Sequence, residues 1–336
     1  MIAVVLVGGF GTRLRPLTLT KPKQMLPVGQ VTMLERVVAK LAAAGVTQVV
    51  LSLGYQPDAF VEAFPNGICA GVNLHYAVEP EPLDTAGAIR FAAQDAGITE
   101  RFFAINGDVL TDLDLPGLWA AHDSFGGQAT LALTPVDDPS RYGVVPIDSN
   151  GRVEAFIEKP PAGTAPSNWI NAGTYVLEPS VLDRIPAGCR VSVERETFPS
   201  IVADRSLFAV HSNSYWIDAG TPEAYLQAHL DLMDGVRSLP EACVDPSATV
   251  HADAQVKRSM IGPGVQIDAA AQVVDSIVMA NSHVGSGAQI SRSILGGGCS
   301  VGEGSHLSQL SIVGFDQVVA PQTVSVTDRF PSPETW

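Results

Sequence analysis

Residues 2–18 read IAVVLVGGFGTRLRPLT, a continuous apolar run that passes directly into a turn rich in glycine. The run at residues 2–7 is dominated by β-branched residues, which is typical of a central parallel strand covered on both faces. Because glycine has no Cβ, the turn can bring backbone N–H groups close to phosphate oxygens. The segment therefore predicts a buried strand followed by a phosphate-binding turn.

Two common phosphate motifs do not fit this turn. Leu14 stands where a dinucleotide-binding fingerprint that begins at Gly9 would have its third glycine, and the chain contains no P-loop motif. Four basic residues nevertheless fall within eleven positions of a chain whose formal net charge is −15: Arg13, Arg15, Lys21 and Lys23. A charge run is often only a solvated surface loop, but the adjoining glycines favour a site for a phosphorylated ligand.

Strand-like and helix-like patterns alternate along the first two thirds of the chain. Apolar residues follow helical spacing from Leu34 to Leu41, and Gly45 stands where a helix C-cap belongs. Residues 46–53 and 101–108 are the next strand-like runs. The alternation predicts an α/β fold, a doubly wound mixed sheet of the Rossmann-like type, with ligands at the carboxyl ends of its strands.

From residue 244 onward, helical patterns disappear and single branched residues recur at steps of six, six and five. The fifteen positions all hold Val, Ile or Leu at a strict period of seventeen: Val244, Ile261, Val278, Leu295 and Ile312; Val250, Ile267, Val284, Val301 and Val318; Val256, Val273, Ile290, Leu307 and Val324. Each turn of chain then has three short sides that point one branched residue each at a common axis. The repeat predicts a left-handed parallel β-helix of hexapeptide-type repeats, about five coils long.

The ends and the surface of this β-helix carry three further expectations. An open end exposes unpaired backbone and apolar edges, so we expect homo-oligomerisation through the β-helix or a terminal cap. Trp336, in the tail at residues 330–336, is a candidate for that cap. Three histidines, at positions 251, 283 and 306, are expected on the surface rather than as the base of an acyltransferase.

The composition limits where the protein works and what it binds. Hydrophobic residues make up 46% and charged residues 16%, which is typical of a folded chain. The acidic net charge disfavours nucleic acid, and no apolar run approaches the ~18 residues that cross a bilayer. The N-terminus lacks a basic leader, and the four cysteines show no C-x-x-C spacing. We expect a cytoplasmic protein with no zinc site, no nucleic-acid partner and no membrane partner.

The chain contains eight separated motifs, which follow one another in the order seen in a known enzyme family: GGFGTRLRPLT (8–18), PKQMLP (22–27), EPLDTAGAI (81–89), NGDVL (106–110), YGVVP (142–146), FIEKP (156–160), INAGTYVL (170–177) and YWIDAGTPEAY (215–225). In these motifs the chain resembles the sugar-1-phosphate nucleotidylyltransferases, and the mannose-1-phosphate guanylyltransferase (GDP-mannose pyrophosphorylase) type is most similar. The resemblance implies an enzyme that transfers a nucleoside monophosphate from a nucleoside triphosphate to a sugar 1-phosphate and releases pyrophosphate. It favours GTP and mannose 1-phosphate as substrates and Mg²⁺ as cofactor.

The resemblance also assigns roles to residues within the motifs. Two cations match the family's catalytic pair: Arg13 and Lys23. Nine residues match its nucleotide-binding positions: Leu6, Gly8, Gly9, Gly11, Thr12, Asp84, Thr85, Ala86 and Gly87. Five match its sugar-phosphate positions: Gly143, Glu158, Lys159, Asn171 and Gly173. Two match its metal-binding carboxylates: Asp108 and Asp218.

Simple chemistry agrees with these residue types, although each residue also has a plainer interpretation. Both substrates are polyanions, so the site must neutralise charge before they can meet. Magnesium prefers one or two carboxylates together with phosphate oxygens and water. A lone aspartate at a strand end is, however, more often a turn or helix cap, and Asp112 and Asp114 are expected to be turn residues of that kind. Arg15 is expected to anchor the loop.

Two positions depart from the family pattern and leave the choice of base open. Asp84 replaces the glycine that guanylyltransferases of the family usually carry. Its carboxylate could accept hydrogen bonds from guanine, or it could cap the helix that follows. Gln24 replaces the usual proline, which we expect to loosen the turn that carries Lys23.

The domain order follows from the patterns together with the resemblance. We expect a nucleotidyltransferase catalytic domain at 1–235, a linker at 236–243, the β-helix at 244–330 and a tail at 331–336. Alternative functions are the same reaction with UTP or dTTP and glucose 1-phosphate, or with GTP and a heptose or cyclitol phosphate. A non-catalytic regulatory subunit that senses sugar nucleotides is a further alternative.

Overall fold

The chain folds into two compact units that interleave along the sequence. A computed structural model describes residues 1–54, 57–237 and 240–336. The first unit comprises Met1–Gly9 and Leu34–Trp216, and the second comprises Phe10–Met33 and Ile217–Trp336. The turn after the first strand is thus divided between the units, and residues 10–33 belong to the same unit as the repeat region. The predicted linker at 236–243 lies in part outside the described residues.

The described residues form six α-helices and two sets of strands. The helices are α1 Met33–Ala43, α2 Asp58–Ala63, α3 Asp84–Asp95, α4 Leu115–Phe125, α5 Phe198–Ala203 and α6 Pro222–Met233. The strands before the repeats are β1 Ile2–Leu6, β2 Pro27–Val28, β3 Val31–Thr32, β4 Gln48–Leu53, β5 Ile68–Cys69, β6 Val72–Val78, β7 Phe102–Asn106, β8 Val109–Thr111, β9 Ala129–Pro135, β10 Gly143–Val144, β11 Ile157–Glu158, β12 Trp169–Leu177, β13 Leu207–His211 and β14 Trp216–Asp218. No helix in the described part of the chain has both the length and the apolar character needed to span a membrane.

A mixed ten-stranded sheet forms the centre of the first unit. Its main order is β11-β10-β12-β7-β1-β4-β6-β5, with β9 on β12 and β13 on β9. β1 pairs in parallel with β4 and β7, whereas β12 runs antiparallel to β7 and β9. The predicted central strand is confirmed, because Ala3, Val4 and Val5 are fully buried between neighbours on both sides. The doubly wound mixed sheet is therefore as predicted from the sequence.

The repeat region of the second unit forms three five-stranded parallel sheets. Its strands are β15 Thr249–Val250, β16 Gln255–Lys257, β17 Met260–Ile261, β18 Gln266–Ile267, β19 Gln272–Val274, β20 Ile277–Val278, β21 His283–Val284, β22 Gln289–Ser291, β23 Ile294–Leu295, β24 Ser300–Val301, β25 His306–Ser308, β26 Ile312–Val313, β27 Val318–Val319, β28 Val324–Val326 and β29 Arg329–Phe330. Every third strand joins the same sheet, which is the architecture of the predicted left-handed β-helix of five coils. Inward-facing branched residues form its core, among them Ile261, Val284 and Leu307.

The strict period of seventeen is wrong for the last coil. Leu295 pairs with Val313, Val301 with Val319, and Leu307 with Ser325, so each step there is eighteen residues. The predicted interior residues Ile312, Val318 and Val324 are each displaced by one position, which turns them to the outer face because side chains alternate along a strand. Val318 and Val324 are 77% and 75% exposed.

The extra residue lies in the corner that precedes β26. Earlier corners of this kind have one residue with positive φ, for example Arg258 at 47° and Asp275 at 48°. The last one has two in succession, Gln309 at 50° and Leu310 at 71°. One more left-handed residue lengthens the corner and moves the register by one.

Side-chain contacts anchor the start of the β-helix. Arg258 binds Asp234, directly after α6, at 2.6 Å and Asp275 of the next coil at 2.9 Å.

The three histidines of the β-helix lie at its surface, as predicted. Phe330, rather than Trp336, packs against the interior cluster. Trp336 is 38% exposed, and its indole N–H donates to the carbonyl of Pro331.

The corrected register gives a direct stability test in one pair of neighbours. Val319→Ala should lower the free energy of unfolding by about 2 kcal/mol, since it leaves a cavity in the interior. Val318→Ala should change it by less than about 0.5 kcal/mol, because the side chain is exposed. Urea denaturation of both variants measures the difference. A larger loss in Val318→Ala would restore the seventeen-residue register.

Candidate active site

The glycine-rich turn begins at the carboxyl end of β1, at the centre of the sheet. A Cβ on Gly8 would lie 3.3 Å from the backbone nitrogen of Gly54, so the two segments approach too closely for a larger residue to fit without a shift. Leu6 accepts a hydrogen bond from the amide of Gly107 at 2.9 Å. In the first unit, this places Leu6 and Gly8, two predicted nucleotide-binding residues, at the carboxyl end of β1, between the ends of β4 and β7.

A buried carboxylate beside this turn was not found from the sequence. Glu79 is 9% exposed and follows β6. It accepts hydrogen bonds from the hydroxyl of Ser52 at 2.7 Å and from the amide of Leu83 at 3.1 Å. Its oxygen also lies 3.6 Å from the Cβ position of Gly8. The only sequence signal was a glutamate at the end of an apolar strand, which is too common to be informative.

Within the second unit, the two ends of the predicted catalytic loop lie next to each other. Gly11 has φ +61°, a conformation that favours glycine. Its carbonyl accepts from the hydroxyl of Thr18 at 2.7 Å, and its Cβ position lies 3.4 Å from Cβ of Lys23. Gly11 and Lys23 are therefore neighbours although twelve residues separate them.

The turn that carries Lys23 is closed by two backbone hydrogen bonds. Residues Lys23–Met25 form a 3₁₀ turn in which the amides of Met25 and Leu26 donate to Pro22 and Lys23 at 2.9 and 3.1 Å. Gln24 is fully buried within it. Its side-chain oxygen Oε1 is buried and has no hydrogen-bond partner among the described residues, so replacing the family's proline leaves a buried polar atom unsatisfied.

Arg13 and Asp218 face each other within the second unit. The guanidinium Nη2 lies 3.9 Å from Oδ2 of Asp218, and the Arg13 side chain is 55% exposed. A contact at this distance and exposure contributes at most about 1 kcal/mol. Arg13 can therefore shift to a phosphate without losing much stabilisation. The other oxygen of Asp218 accepts from the amide of Gly220 at 2.9 Å, which fixes the carboxylate at the end of β14.

The predicted sugar-phosphate residues meet at one end of the sheet in the first unit. Gly143 of β10 is paired with Glu158 of β11 in the strand register. The Glu158 carboxylate binds the ammonium of Lys159 at 2.9 Å, and the amide of Lys159 donates to Tyr142 at 3.0 Å. A Cβ on Gly143 would lie 2.7 Å from the ring of Phe156, so only glycine fits. The strand pairing thus holds Glu158 beside Gly143, and the next residue supplies the ammonium that binds its carboxylate.

A β-bulge in the neighbouring strand fixes the other two sugar-side residues. The register of β12 against β9 shifts between Asn171 and Tyr175. The Asn171 side-chain amide donates to the Tyr175 hydroxyl at 2.8 Å and accepts from the amide of Gly173 at 3.0 Å. Gly173 has φ +71°, and a Cβ there would lie 2.6 Å from the side chain of Asn106. Both ends of the Asn171 side chain are therefore held in place.

Two aromatic residues that support this bulge were missed in the sequence. Burial raises the pKa of Tyr175 well above its usual value, and the charges of Glu194 and Glu158 raise it further, so its hydroxyl keeps its proton. The indole N–H of Trp216 donates to the carbonyl of Ala172 at 2.9 Å, between Asn171 and Gly173. Both residues stand inside the recognised motifs. The motifs alone do not indicate that they act by holding their neighbours.

Polar groups in the first turn of α3 donate hydrogen bonds to a distant segment of the chain. The amides of Ala86 and Gly87 both donate to the carbonyl of Val191, at 2.9 and 3.3 Å. The Thr85 hydroxyl donates to Glu194 at 2.8 Å. A Cβ on Gly87 would lie 2.6 Å from the carbonyl oxygen of Cys189. The predicted nucleotide contacts of Ala86 and Gly87 would therefore have to use atoms other than their amides.

Asp84 adopts the backbone conformation that explains the family's glycine. Its φ is +60°, in the left-handed region that asparagine, aspartate and glycine tolerate best. One carboxylate oxygen accepts from the amide of Thr85 at 2.8 Å, and the other lies 3.8 Å from the guanidinium of Arg190. That bond reaches only the next residue, whereas a helix cap accepts from the second or third amide, and α3 has no side-chain cap hydrogen bond among the described residues. The alternative in which Asp84 reads a base stays a prediction.

The two predicted metal-binding aspartates lie in different units. Asp108 is half-buried in the turn between β7 and β8 of the first unit, and Asp218 ends β14 in the second. Among the described residues, no three histidine, cysteine, aspartate or glutamate side chains are grouped as a metal site. Asp114 caps α4 by accepting from the amide of Gly117 at 3.0 Å, which confirms its expected structural role.

Comparison with protein-family models settles the family. Residues 2–235 match the model described as "Nucleotidyl transferase", and residues 238–333 match the "GMPPB C-terminal domain". The chain belongs to the nucleotidyl transferase family. This membership agrees with the resemblance seen in the eight motifs.

Individual relatives and solved structures agree with that assignment. The mannose-1-phosphate guanylyltransferase of Mycobacterium tuberculosis is 43% identical over 240 residues, which are 71% of this chain and 66% of that enzyme. The mannose-1-phosphate guanyltransferase of Schizosaccharomyces pombe is 40% identical over 267 residues, 74% of this chain and 73% of the relative. A crystal structure of HddC from Yersinia pseudotuberculosis superposes with a TM-score of 0.58 at 29% identity, over 68% of this chain and 97% of HddC.

The conformation of Asp84 predicts opposite results for two substitutions. Asp84→Gly should change the free energy of unfolding by less than about 0.5 kcal/mol, because relief of the left-handed φ offsets the lost hydrogen bond to Thr85. Asp84→Ala should lower it by about 1–2 kcal/mol, since alanine keeps the strain and cannot accept that bond. Urea denaturation of both variants provides the comparison. Equal losses would show that the backbone conformation has no energetic weight.

Proposed function

We propose that this chain is a mannose-1-phosphate guanylyltransferase. It transfers the guanylyl group of GTP to mannose 1-phosphate and gives GDP-mannose and pyrophosphate. The main structural support for this reaction is the loop that places Gly11 next to Lys23 and holds Arg13 within 3.9 Å of Asp218. The choice of substrates is supported by the relatives in Mycobacterium tuberculosis and Schizosaccharomyces pombe, which are named for that sugar and that nucleotide.

The chemistry requires positive charge at the triphosphate. A phosphate oxygen of mannose 1-phosphate attacks the α-phosphorus of GTP, and the bond from that phosphorus to the bridging oxygen breaks. The electron pair leaves on pyrophosphate. Arg13 and Lys23 would bind the β- and γ-phosphates, where charge accumulates as the bond breaks. One preorganised donor of this kind contributes about 3–4 kcal/mol to transition-state stabilisation.

The sugar phosphate would be bound by residues of the first unit. Glu158 accepts hydrogen bonds from sugar hydroxyls, and Lys159, already 2.9 Å from it, contacts the sugar phosphate. Asn171, held by Tyr175 and Gly173, presents its amide at a fixed position beside the sugar ring. This rigidity favours orientation of the attacking oxygen, which accounts for a large part of the rate of such transfers.

Asp108 and Asp218 fit a magnesium ion by their chemistry. Nucleotidyl transferases of this family generally use a divalent metal. Carboxylate oxygens are ligands that Mg²⁺ prefers alongside phosphate oxygens and water, and the hydrogen bond from Gly220 holds the Asp218 carboxylate in a fixed orientation. When bound, Mg²⁺ would supply positive charge to the α- and β-phosphates.

Several further features of the protein remain predictions. They are a cytoplasmic location, homo-oligomerisation through the β-helix, and the division into 1–235, 236–243, 244–330 and 331–336. A regulatory subunit without catalysis is disfavoured because the charged residues of the proposed site are all present: Arg13, Lys23, Asp108, Lys159 and Asp218.

A substrate matrix tests the proposed function. GTP, UTP, dTTP and ATP are each combined with mannose, glucose, heptose and cyclitol phosphates, and pyrophosphate release is measured with Mg²⁺. GTP with mannose 1-phosphate should give a kcat/KM at least about tenfold above any other pair, within the range that pocket contacts can discriminate. Faster turnover of UTP or dTTP with glucose 1-phosphate would refute the substrate assignment, and no turnover of any pair would favour the regulatory alternative.

The same matrix decides what Asp84 contributes. If its carboxylate reads the base, Asp84→Gly should lose the preference for GTP over the other nucleotides while the sugar preference stays. If it only caps α3, Asp84→Gly should keep both preferences. Because glycine accepts the left-handed conformation, the variant separates recognition from folding.

The metal-binding role of the two aspartates is tested by isosteric variants. Asp108→Asn and Asp218→Asn should each lower kcat at least about 100-fold and raise the Mg²⁺ concentration needed for half-maximal rate, because each removes a charged ligand. Asp112→Asn, four residues from Asp108, is the matched control and should retain near-normal kcat. Circular dichroism checks that the folds are intact. Near-normal turnover in Asp108→Asn or Asp218→Asn would refute that residue's role.

A further inference from the structure

The loop that carries Arg13 and Lys23 packs within the same compact unit as the β-helix. Residues 10–33 belong to the second unit, together with α6 and all fifteen strands of the repeat region. The hairpin β2–β3 at the end of this loop is tied to the unit by two contacts. The hydroxyl of Tyr225 in α6 donates to the backbone carbonyl of Pro27. The side-chain amide of Gln30 donates to the backbone carbonyl of Ile261 at 3.1 Å.

One outer face of the β-helix is apolar and covered. The outward positions of four successive strands in the third sheet are each no more than 2% exposed: Met260, Ile277, Ile294 and Ile312. A hexapeptide coil normally presents polar residues on its outer faces, so an apolar ladder indicates a surface built to be packed upon. The same ladder continues into the last coil, where Ile312 pairs with Arg329.

Arg329 ends this ladder with a charged group that reaches the catalytic loop. Its guanidinium Nη1 donates a hydrogen bond to the backbone carbonyl of Arg15. Arg15 lies two residues after Arg13, so the bond holds the backbone beside the proposed catalytic cation. Arg13 is itself 55% exposed and lies 3.9 Å from Asp218, so its placement depends strongly on the backbone that carries it.

Phe315, in the corner that follows β26, contacts the other end of the loop. The ammonium of Lys21 lies 4.9 Å from the centroid of the Phe315 ring, within the range of a cation–π interaction. The preceding residue, Gly314, approaches Pro16 so closely that a Cβ on it would lie 3.2 Å from the proline Cβ. Lys21 lies two residues before Lys23, as Arg15 lies two after Arg13.

We propose that Arg329 and Phe315 are positioning residues for nucleotidyl transfer, which fix the loop at Arg15 and Lys21 so that Arg13 and Lys23 meet the triphosphate. This inference rests on the proposed function. The β-helix is then part of the catalytic apparatus in addition to any role in assembly. A displacement of about 1 Å at a reacting group can reduce a rate by about 100-fold, so the loss of a backbone anchor has measurable consequences.

The first experiment removes the anchor and keeps the apolar bulk. Arg329→Met should lower kcat for GTP and mannose 1-phosphate about 10- to 100-fold, while KM for mannose 1-phosphate changes less than about twofold. Arg329→Lys, which can still donate to the Arg15 carbonyl, should recover most of kcat. Arg292→Met is the matched control, because Arg292 is an exposed arginine elsewhere on the β-helix, and it should leave kcat unchanged.

Hydrogen exchange distinguishes positioning from a general loss of structure. In Arg329→Met, amides of residues 12–19 should exchange faster, while those of the first-unit strands keep their wild-type protection. Unchanged kcat, or a lowered kcat with uniformly faster exchange, would overturn the positioning role. If wild-type protein does not turn over any substrate pair, the proposed function fails instead, and the exchange result still reports on the anchor.

A second pair of variants keeps the inference testable if Arg329→Met does not fold. Phe315→Leu should lower kcat about threefold to tenfold, whereas Phe315→Tyr, which keeps the aromatic face, should stay near wild type. Lys21→Met should lower kcat by a similar factor, and the double variant Lys21→Met with Phe315→Leu should lose no more than either single variant. Additive losses would show that the two side chains act independently and would overturn the role of Phe315.

Discussion

Two polyanions repel each other, and a protein that joins them must hold positive charge where their phosphates meet. This chain is itself strongly acidic, with a formal net charge of −15, so the necessary charge is local rather than general. It resides on a short loop whose shape is fixed by a left-handed glycine, closed 3₁₀ turns and contacts to the last coil of the β-helix. The placement of that loop is the condition on which the proposed chemistry depends.

The residues proposed to bind the sugar phosphate are also held in place by neighbouring residues. Glu158 and Lys159 are held by strand pairing, while Asn171 is held at both ends of its amide by Tyr175 and Gly173. A β-bulge makes this possible, since it lets three consecutive residues leave the regular register. The groups proposed to touch substrate are supported by residues that do not, and those supports include backbone atoms as well as side chains.

Periodicity allowed the central strand, the helices and the β-helix to be predicted, because each buries one face at a fixed spacing. It failed in the last coil, where adjacent branched residues stand at 312–313 and 318–319. Either member of such a pair satisfies the pattern, and in the third column Val324 fits it although Ser325 is the inward residue, so the sequence did not reveal the slip of one residue. Motifs likewise marked Asp84 and Asn171 as candidate site residues, but they did not indicate the contacts made by Glu79, outside the motifs, or by Trp216, inside one. Their supporting contacts join distant segments, as the bond between Thr85 and Glu194 does across 109 residues.

The bond between Arg329 and Arg15 spans 314 residues of sequence. The loop bearing Arg13 is synthesised early, whereas Arg329 belongs to β29, the last strand of the β-helix. With the anchor proposed above, a chain truncated between residues 218 and 329 would carry every charged residue of the proposed site, yet it would lack the hydrogen bond that holds the backbone at Arg15 and would turn over slowly.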